Sequence, residues 1–284
     1  MPHDFVIARG EPRFVLVHYH LFKNGGTTLE SIFEREFRDR FATLHGPGRD
    51  SVLGAADLLR FLRQHPELSA VSSHHLRYPL PASAHTIVFD CCFLRHPLAR
   101  IHSFYMHFRR MNSDDALSRM ANEQTSRTFV KWLVDNLPNM VSDVQVQQLA
   151  NAGVFRRPAD RDDLGRAIQV MKRMSMPGLV EMFDESLVVA EYFLGPVFSA
   201  LKLEYVAHNV SGVGAQDLSS QDERLAEIWG ADLLDELVRL NRLDLELHQA
   251  AAEEIKRRFA LVPNAARRVA EFRTRCSILR EAMV

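Results

Sequence analysis

The string Lys23-Asn24-Gly25-Gly26-Thr27-Thr28 puts a cation, a glycine pair and adjacent hydroxyls in consecutive positions, the equipment for holding a phosphate or a sulfate. A β-rich run precedes it and an amphipathic stretch follows it. That makes a strand-loop-helix unit, where unsatisfied backbone N–H groups and the helix dipole favour an anion. Glycines let the backbone approach the anion's oxygens, the threonines add donors, and Lys23 supplies a point charge. In the ATPase loop G-x-x-x-x-G-K-[ST] the lysine follows the second glycine. Here Lys23 precedes the glycine pair, which disfavours a nucleoside triphosphatase. Taken alone, the string is equally what a glycine-rich turn with a solvated lysine looks like.

A second unit has the same logic. The run FLRHPLARIHSFY follows a long apolar stretch and carries Arg95, Pro97, Arg100 and Ser103. An arginine at a strand end can make a forked contact to a phosphate. Ser103 lies about two turns into the following helix and adds a hydroxyl. Alone, Arg95 reads as a surface ion pair and Ser103 as an ordinary helix serine. Together with the first loop, they match a nucleotide charged at both its 5′ and 3′ positions.

These two segments resemble PAPS-dependent sulfotransferases, which use 3′-phosphoadenosine 5′-phosphosulfate (PAPS) as donor, and in particular their carbohydrate-type branch. The branch's 5′-phosphosulfate loop reads roughly P-K-T-G-G-T-[ST]; Phe22 stands here for the proline and Asn24 for the first threonine. FLRHPLARIHSFY resembles the family's R-[DH]-P-x-x-R-x-x-S-x-Y element, which grips the 3′-phosphate. The resemblance covers residues 13–110, with weaker echoes in GLVEMFDES and the helical C-terminal third. It implies that Lys23, Asn24, Gly25, Gly26, Thr27, Thr28, Arg95 and Ser103 bind the donor. It further implies that Lys23 stabilises the leaving phosphate, and that 3′-phosphoadenosine 5′-phosphate is the product with no metal required.

Sulfuryl transfer also needs a base, and a histidine near its ordinary pKa serves at neutral pH. SSHHLRY at 72–78 resembles the G-H-[FLV]-x-[YF] element of glycosaminoglycan 2-O-sulfotransferases and their bacterial relatives, which implies His75 as the catalytic base. The family's glycine is replaced by His74, so the choice between the two histidines stays open. His18 and His20 alternate with Tyr19 and share a face of the incoming strand; they read as core or supporting residues. His45, His96 and His102 can approach the cleft without an assigned task. A metal reading of His74, His75 and Asp90 is disfavoured, because adjacent residues of an extended strand point to opposite faces. Arg77, Tyr78, Arg109 and Arg110 follow the motifs and can face an acceptor, although a solvated charged face suits Arg109 and Arg110 better.

Positioning these residues calls for strands at 13–19, 41–45, 70–76 and 85–94, with helices at 28–38 and 57–64 between them. Pro97 opens a further helix. Beyond residue 110 the pattern predicts helices at 125–136, 144–151 and 161–173, a strand at 178–183 and a helix at 185–200. The mainly helical region 112–175 reads as polar and loop-like at its start, where an acceptor lid can lie. Ser220 with Glu223 suggests a capping box, and 231–259 a single long amphipathic helix. Trp132 and Trp229 read as core. The expected fold is α/β: a P-loop-like three-layer arrangement with a central parallel sheet flanked by helices and a helix-rich C-terminal half. One domain spans 1–284, with a cofactor-binding core at 13–110 and a mainly helical acceptor-side region at 111–284.

The formal net charge is −1, from 35 basic and 36 acidic residues. That balance gives no global reason to bind nucleic acid or a membrane surface. Cys91 and Cys92 are adjacent within an apolar run and read as buried hydrophobes. The N-terminus lacks a signal-peptide pattern, and no apolar run reaches the length of a membrane span. The expectation is a cytoplasmic bacterial enzyme whose partners are the nucleotide donor and a hydroxyl-bearing acceptor, a glycan or a small molecule. Two rivals remain: a P-loop small-molecule kinase, and an inactive sulfotransferase-like module that keeps only nucleotide binding.

Overall fold

The computed structural model describes residues 12–206 and 218–282 apart from 49, 112, 153, 155 and 200, with residues 218–222 described by backbone alone. The first half alternates strand and helix: β1 (Arg13–Tyr19), α1 (Gly26–Phe37), β2 (Phe41–Thr43), α2 (Ala55–Gln64), β3 (Ala70–Ser73), β4 (Thr86–Leu94) and α3 (Pro97–Met111). After these come α4 (Ala116–Glu123), α5 (Ser126–Asn136), α6 (Val144–Ala150), α7 (Arg161–Arg173), β5 (Met176–Leu179) and α8 (Phe183–Leu194). The chain ends with α9 (Leu218–Trp229), α10 (Ala231–Leu240), α11 (Arg242–Phe259) and α12 (Ala265–Ala282).

The strands form one sheet in the order β2-β3-β1-β4-β5, with every pairing parallel. The alternation of β1 sends its side chains into two cores. Val15, Val17 and Tyr19 pack with Leu58 of α2, Leu164 of α7 and Leu247 of α11. Leu16 packs on the other face with Leu29 and Phe33 of α1, Leu187 of α8 and Phe272 of α12. Helices therefore cover both faces, which is why β4 can be apolar almost throughout. A third cluster joins α3, α5, α9 and α10 around Phe129 and the buried Trp229, whose indole N–H donates to Ser126 Oγ at 2.9 Å. Cys91 and Cys92 are buried in the sheet.

The α/β architecture agrees with the sequence reading, and four local expectations are corrected. The last strand begins at Met176 and ends at Leu179, because the chain turns through a short 3₁₀ segment at Val180–Met182 into α8. The polar stretch after α3 contains α4, opened by the Asp115 carboxylate accepting the N–H groups of Leu117 and Ser118 at 3.1 Å. α9 runs through Ser220, so that residue is not a helix N-cap; its side chain lies outside the described residues. Residues 231–259 form two helices, broken at Asn241, where Asp143 Oδ1 accepts the N–H groups of Leu243 and Asp244 at 3.0 and 2.9 Å and opens α11. No helix among the described residues is long and apolar enough to cross a membrane.

Candidate functional site

The chain leaves β1 towards β2 and β3 on one side, and leaves β4 towards β5 on the other, although β1 and β4 are neighbours. Ligands of open parallel sheets bind at such a switch point, beyond the carboxyl ends of the strands. The loop carrying Lys23 follows β1 and the turn carrying Arg95 follows β4, so the fold puts both expected anion sites at this crevice.

The first turn is tightly specified. Lys23 and Gly25 both take positive φ, 69° and 77°, and the glycine occupies the left-handed region without side-chain penalty. The first helical hydrogen bonds run from Thr28 and Leu29 to the Gly25 carbonyl, at 3.1 and 3.3 Å. The N–H groups of Gly25, Gly26 and Thr27 precede them and form the cradle at the start of α1. A side chain at Gly25 would meet the Phe183 ring at 3.2 Å. The Lys23 ammonium lies 5.5 Å from the centre of the Phe22 ring. Burial, with Arg95 and Arg110 nearby, lowers its pKa to about 8.

Asn24 turns inward. Its side-chain amide is 1% exposed and donates to the Phe93 carbonyl at 2.9 Å and to Gln145 Oε1 at 2.8 Å. Both amide protons are spent on the fold, so Asn24 shapes the turn where the sequence reading made its side chain a donor to the ligand. Gln145 Oε1 also accepts the Arg95 backbone N–H at 2.9 Å, and Gln145 Nε2 donates to the Arg95 carbonyl at 2.8 Å. The Arg95 guanidinium donates to the Lys23 carbonyl at 3.2 Å. The two turns are thus one hydrogen-bonded unit. Gln145 carries no local sequence signal, since it comes from α6, far along the chain.

Ser103 is 8% exposed on α3. Its neighbour His102 has its pKa lowered to about 4 by burial, with the positive charges of Arg95 and Arg224 adding to the effect. Arg95 and Arg224 therefore concentrate positive charge at this end of the site, and His102 stays neutral. Arg100 points inward instead: it is buried, donates to the Met140 carbonyl at 3.0 Å, and has its pKa lowered to about 10 by burial against the opposing pull of Asp244.

β3 ends at Ser73, so His74 and His75 lie in the following turn rather than on a strand. His75 Nδ1 accepts the Gly46 N–H at 2.7 Å, which leaves the proton of its neutral ring on Nε2. His75 also packs near His45, with ring centres 6.0 Å apart. His74 has the opposite tautomer: its Nδ1–H donates to the His20 carbonyl at 3.1 Å, which leaves Nε2 with a lone pair. The His74 ring lies 3.7 Å from that of His20 and 6.3 Å from that of Phe22. Burial, then the His20 charge, lowers its pKa to about 4. The His107 ring on α3 also lies near Phe22, with ring centres 5.2 Å apart, and no motif marks it in the sequence.

Behind the cradle, Glu30 of α1 organises a polar network with β1 and β3. His20 Nδ1 and Ser72 Oγ donate to Glu30 Oε1 at 3.0 and 2.8 Å, and His18 Nδ1 donates to Ser72 Oγ at 2.9 Å. Burial alone would raise the Glu30 pKa, but the bonds from His20 and Ser72 hold it below the usual range. His18, His20 and Glu30 bring ligand-type atoms within 4.8 Å of one another, the one such group among the described residues. The residues of the disfavoured metal reading are used differently: Asp90 accepts the Tyr78 hydroxyl at 3.0 Å and the Ser175 N–H at 2.8 Å.

No family model matches this chain. The chain is similar to a protein of Archaeoglobus fulgidus described as uncharacterized, with 26% identity over 256 residues that cover 87% of this chain and 99% of that protein.

Proposed function

We propose that this chain is a PAPS-dependent sulfotransferase that passes a sulfuryl group to the hydroxyl of a glycan or small molecule. The observation that carries the reading is the joining of the two turns through Gln145, which holds the Lys23–Thr28 loop and the Arg95 turn together at the switch point. A donor with anionic groups at both its 5′ and 3′ ends fits that pairing.

In this reading the acceptor oxygen attacks sulfur in line with the departing 5′-phosphate. The O–S bond to the acceptor forms as the S–O bond to phosphate breaks, and the acceptor's proton goes to a histidine. His74 replaces His75 in that role, because its Nε2 holds the lone pair and its ring lies near Phe22, the residue before Lys23. Lys23 and the N–H groups of Gly25 to Thr27 face the charge that develops on the phosphate. Arg95 and Ser103 take the 3′-phosphate. The scheme uses no metal, and a cytoplasmic location belongs to the same proposal.

Calorimetry with 3′-phosphoadenosine 5′-phosphate and with ATP, with and without magnesium, tests the donor. Tight binding of the bisphosphate without magnesium is expected, whereas magnesium-dependent preference for ATP would favour the kinase alternative. Incubation with radiolabelled PAPS and a panel of glycans and small hydroxyl compounds then tests transfer. Donor binding without transfer to any acceptor would fit a module that only binds nucleotide.

A further inference from the structure

His20 enters the site from β1 behind the cradle, and its ring fills the place a side chain at Gly26 would occupy: a Cβ built there would lie 1.8 Å from His20 Nε2. Because helical Cβ bonds tilt towards the N-terminus, that nitrogen lies beside the first turn of α1 on its anion-binding side. The ring is 7% exposed, and its Nδ1–H is anchored on Glu30. No described residue hydrogen-bonds to Nε2. We infer that His20 is a proton-dependent member of the anion cradle: it takes a proton on Nε2 when an anion binds and donates that N–H to an anion oxygen, while Glu30 balances the charge.

Proton positions support this over a metal site. A carboxylate only accepts, so Ser72 must donate to Glu30, which obliges His18 to donate to Ser72 and His20 to donate to Glu30. Every Nδ1 in the network is already protonated and bonded, and a cation would have to displace those protons. The titratable groups facing His20 are Glu30 from α1, His18 from its own strand and His74 from the turn after β3. Glu30 is the one acid among them, and it contacts His20 directly. A second cation beside Lys23 also suits a dianionic ligand better than one lysine and backbone dipoles.

The inference rests on reading the loop as an anion cradle, and it is independent of the donor's identity. Inorganic sulfate is the suitable probe because it stays a dianion from pH 5 to 9, so any proton taken up belongs to the protein. At pH 6.5 Lys23 is already charged, and calorimetry in buffers of different ionisation enthalpy should show proton uptake on sulfate binding. His20→Asn keeps a donor towards Glu30 but has no titratable Nε2; it should bind sulfate about tenfold or more weakly at pH 6.5, without proton uptake. Glu30→Gln should behave in the same direction. In the wild-type protein, the NMR titration of the His20 ring should move to higher pH when sulfate is added, which needs no variant to fold.

An unmoved His20 titration, or sulfate binding equal in wild type and His20→Asn, would overturn the inference while leaving the donor assignment standing. Stoichiometric zinc binding that Glu30→Gln abolishes would overturn it in favour of a metal centre. Sulfate-linked proton uptake without any binding of 3′-phosphoadenosine 5′-phosphate would keep His20 in the cradle and remove the sulfotransferase reading. A chain that binds neither anion loses both.

Discussion

The Asn24 side-chain amide donates to Gln145 Oε1 at 2.8 Å, and through this bond the turn after β1 and the turn after β4 share one buried partner. Gln145 also holds both the N–H and the carbonyl of Arg95. Gln145→Ala should therefore unpair the Arg95 backbone groups and loosen both turns together. With each buried unsatisfied group costing about 1–3 kcal/mol, a loss of about 2–4 kcal/mol in denaturant unfolding is expected. Affinity for 3′-phosphoadenosine 5′-phosphate should fall at least tenfold. An Arg95→Lys variant, which keeps the backbone bonds, should lose affinity with little loss of stability.

The two adjacent histidines should separate cleanly. His74→Ala removes the ring with the free Nε2 and should lower the transfer rate by about 10² to 10⁴. His75→Ala removes the acceptor for the Gly46 N–H and should change kcat only a few-fold, with some loss of stability. Radiolabelled transfer at saturating donor measures both. Equal losses in the two variants would return the base to the ambiguity of the sequence.

That ambiguity shows what a sequence can carry. β1, α1, β4 and α3 are legible because local signals define them: apolar runs, the glycine pair, and Pro97 at a helix start. The histidine pair is legible as a pair, but its tautomers depend on the Gly46 N–H and the His20 carbonyl, which the fold brings in from elsewhere. Asn24 looked like an exchanged ligand donor because spacing says nothing about which way a side chain faces. The break at Asn241 was illegible for the same reason: the leucine pattern continues through it, and the Asp143 carboxylate that opens α11 lies about a hundred residues earlier.

The pH dependence of kcat/KM reports groups of the free enzyme. With the His74 pKa lowered to about 4 by burial, the base is unprotonated at all ordinary pH values, and the acid limb should fall near 4 instead of near 6.5. Lys23, lowered to about 8, loses its charge as pH rises through that value and sets an alkaline limb. At saturating donor, where His20 already carries its proton, a broad plateau between about pH 5 and pH 7.5 is expected in initial-rate measurements. Lys23→Arg should move the alkaline limb beyond the measurable range while lowering the plateau, because the guanidinium stays charged but is a poorer steric fit.

Gly26 and His20 should be coupled in stability. Gly26→Ala drives a methyl group into the His20 ring, so one of them must shift, at about 1–3 kcal/mol. His20→Ala removes the obstacle, and in that background the glycine substitution should cost little. Thermal unfolding of the two single variants and the double variant closes the cycle. An undiminished cost in the double variant would mean that the backbone at residue 26, and not the ring, requires glycine.

Asp143 and Asp244 cap each other's helices: Asp143 receives the N–H groups at the start of α11, and Asp244 receives those of Gln145 and Val146 at 3.0 and 2.8 Å. Burial, reinforced by the neighbouring Asp244, raises the Asp143 pKa to about 7. Its folded state thus holds a proton that the unfolded chain releases near pH 4. The associated stabilisation is complete below about pH 4 and is lost as pH rises through 7. Asp143→Asn keeps an oxygen to accept the two N–H groups but carries no charge at any pH. It should raise the melting temperature by about 2–4 °C at pH 8 and by less at pH 5. Because α6 carries Gln145, the same variant should also weaken the pH dependence of ligand binding above pH 7, which parallel titrations of the wild type and the variant would measure.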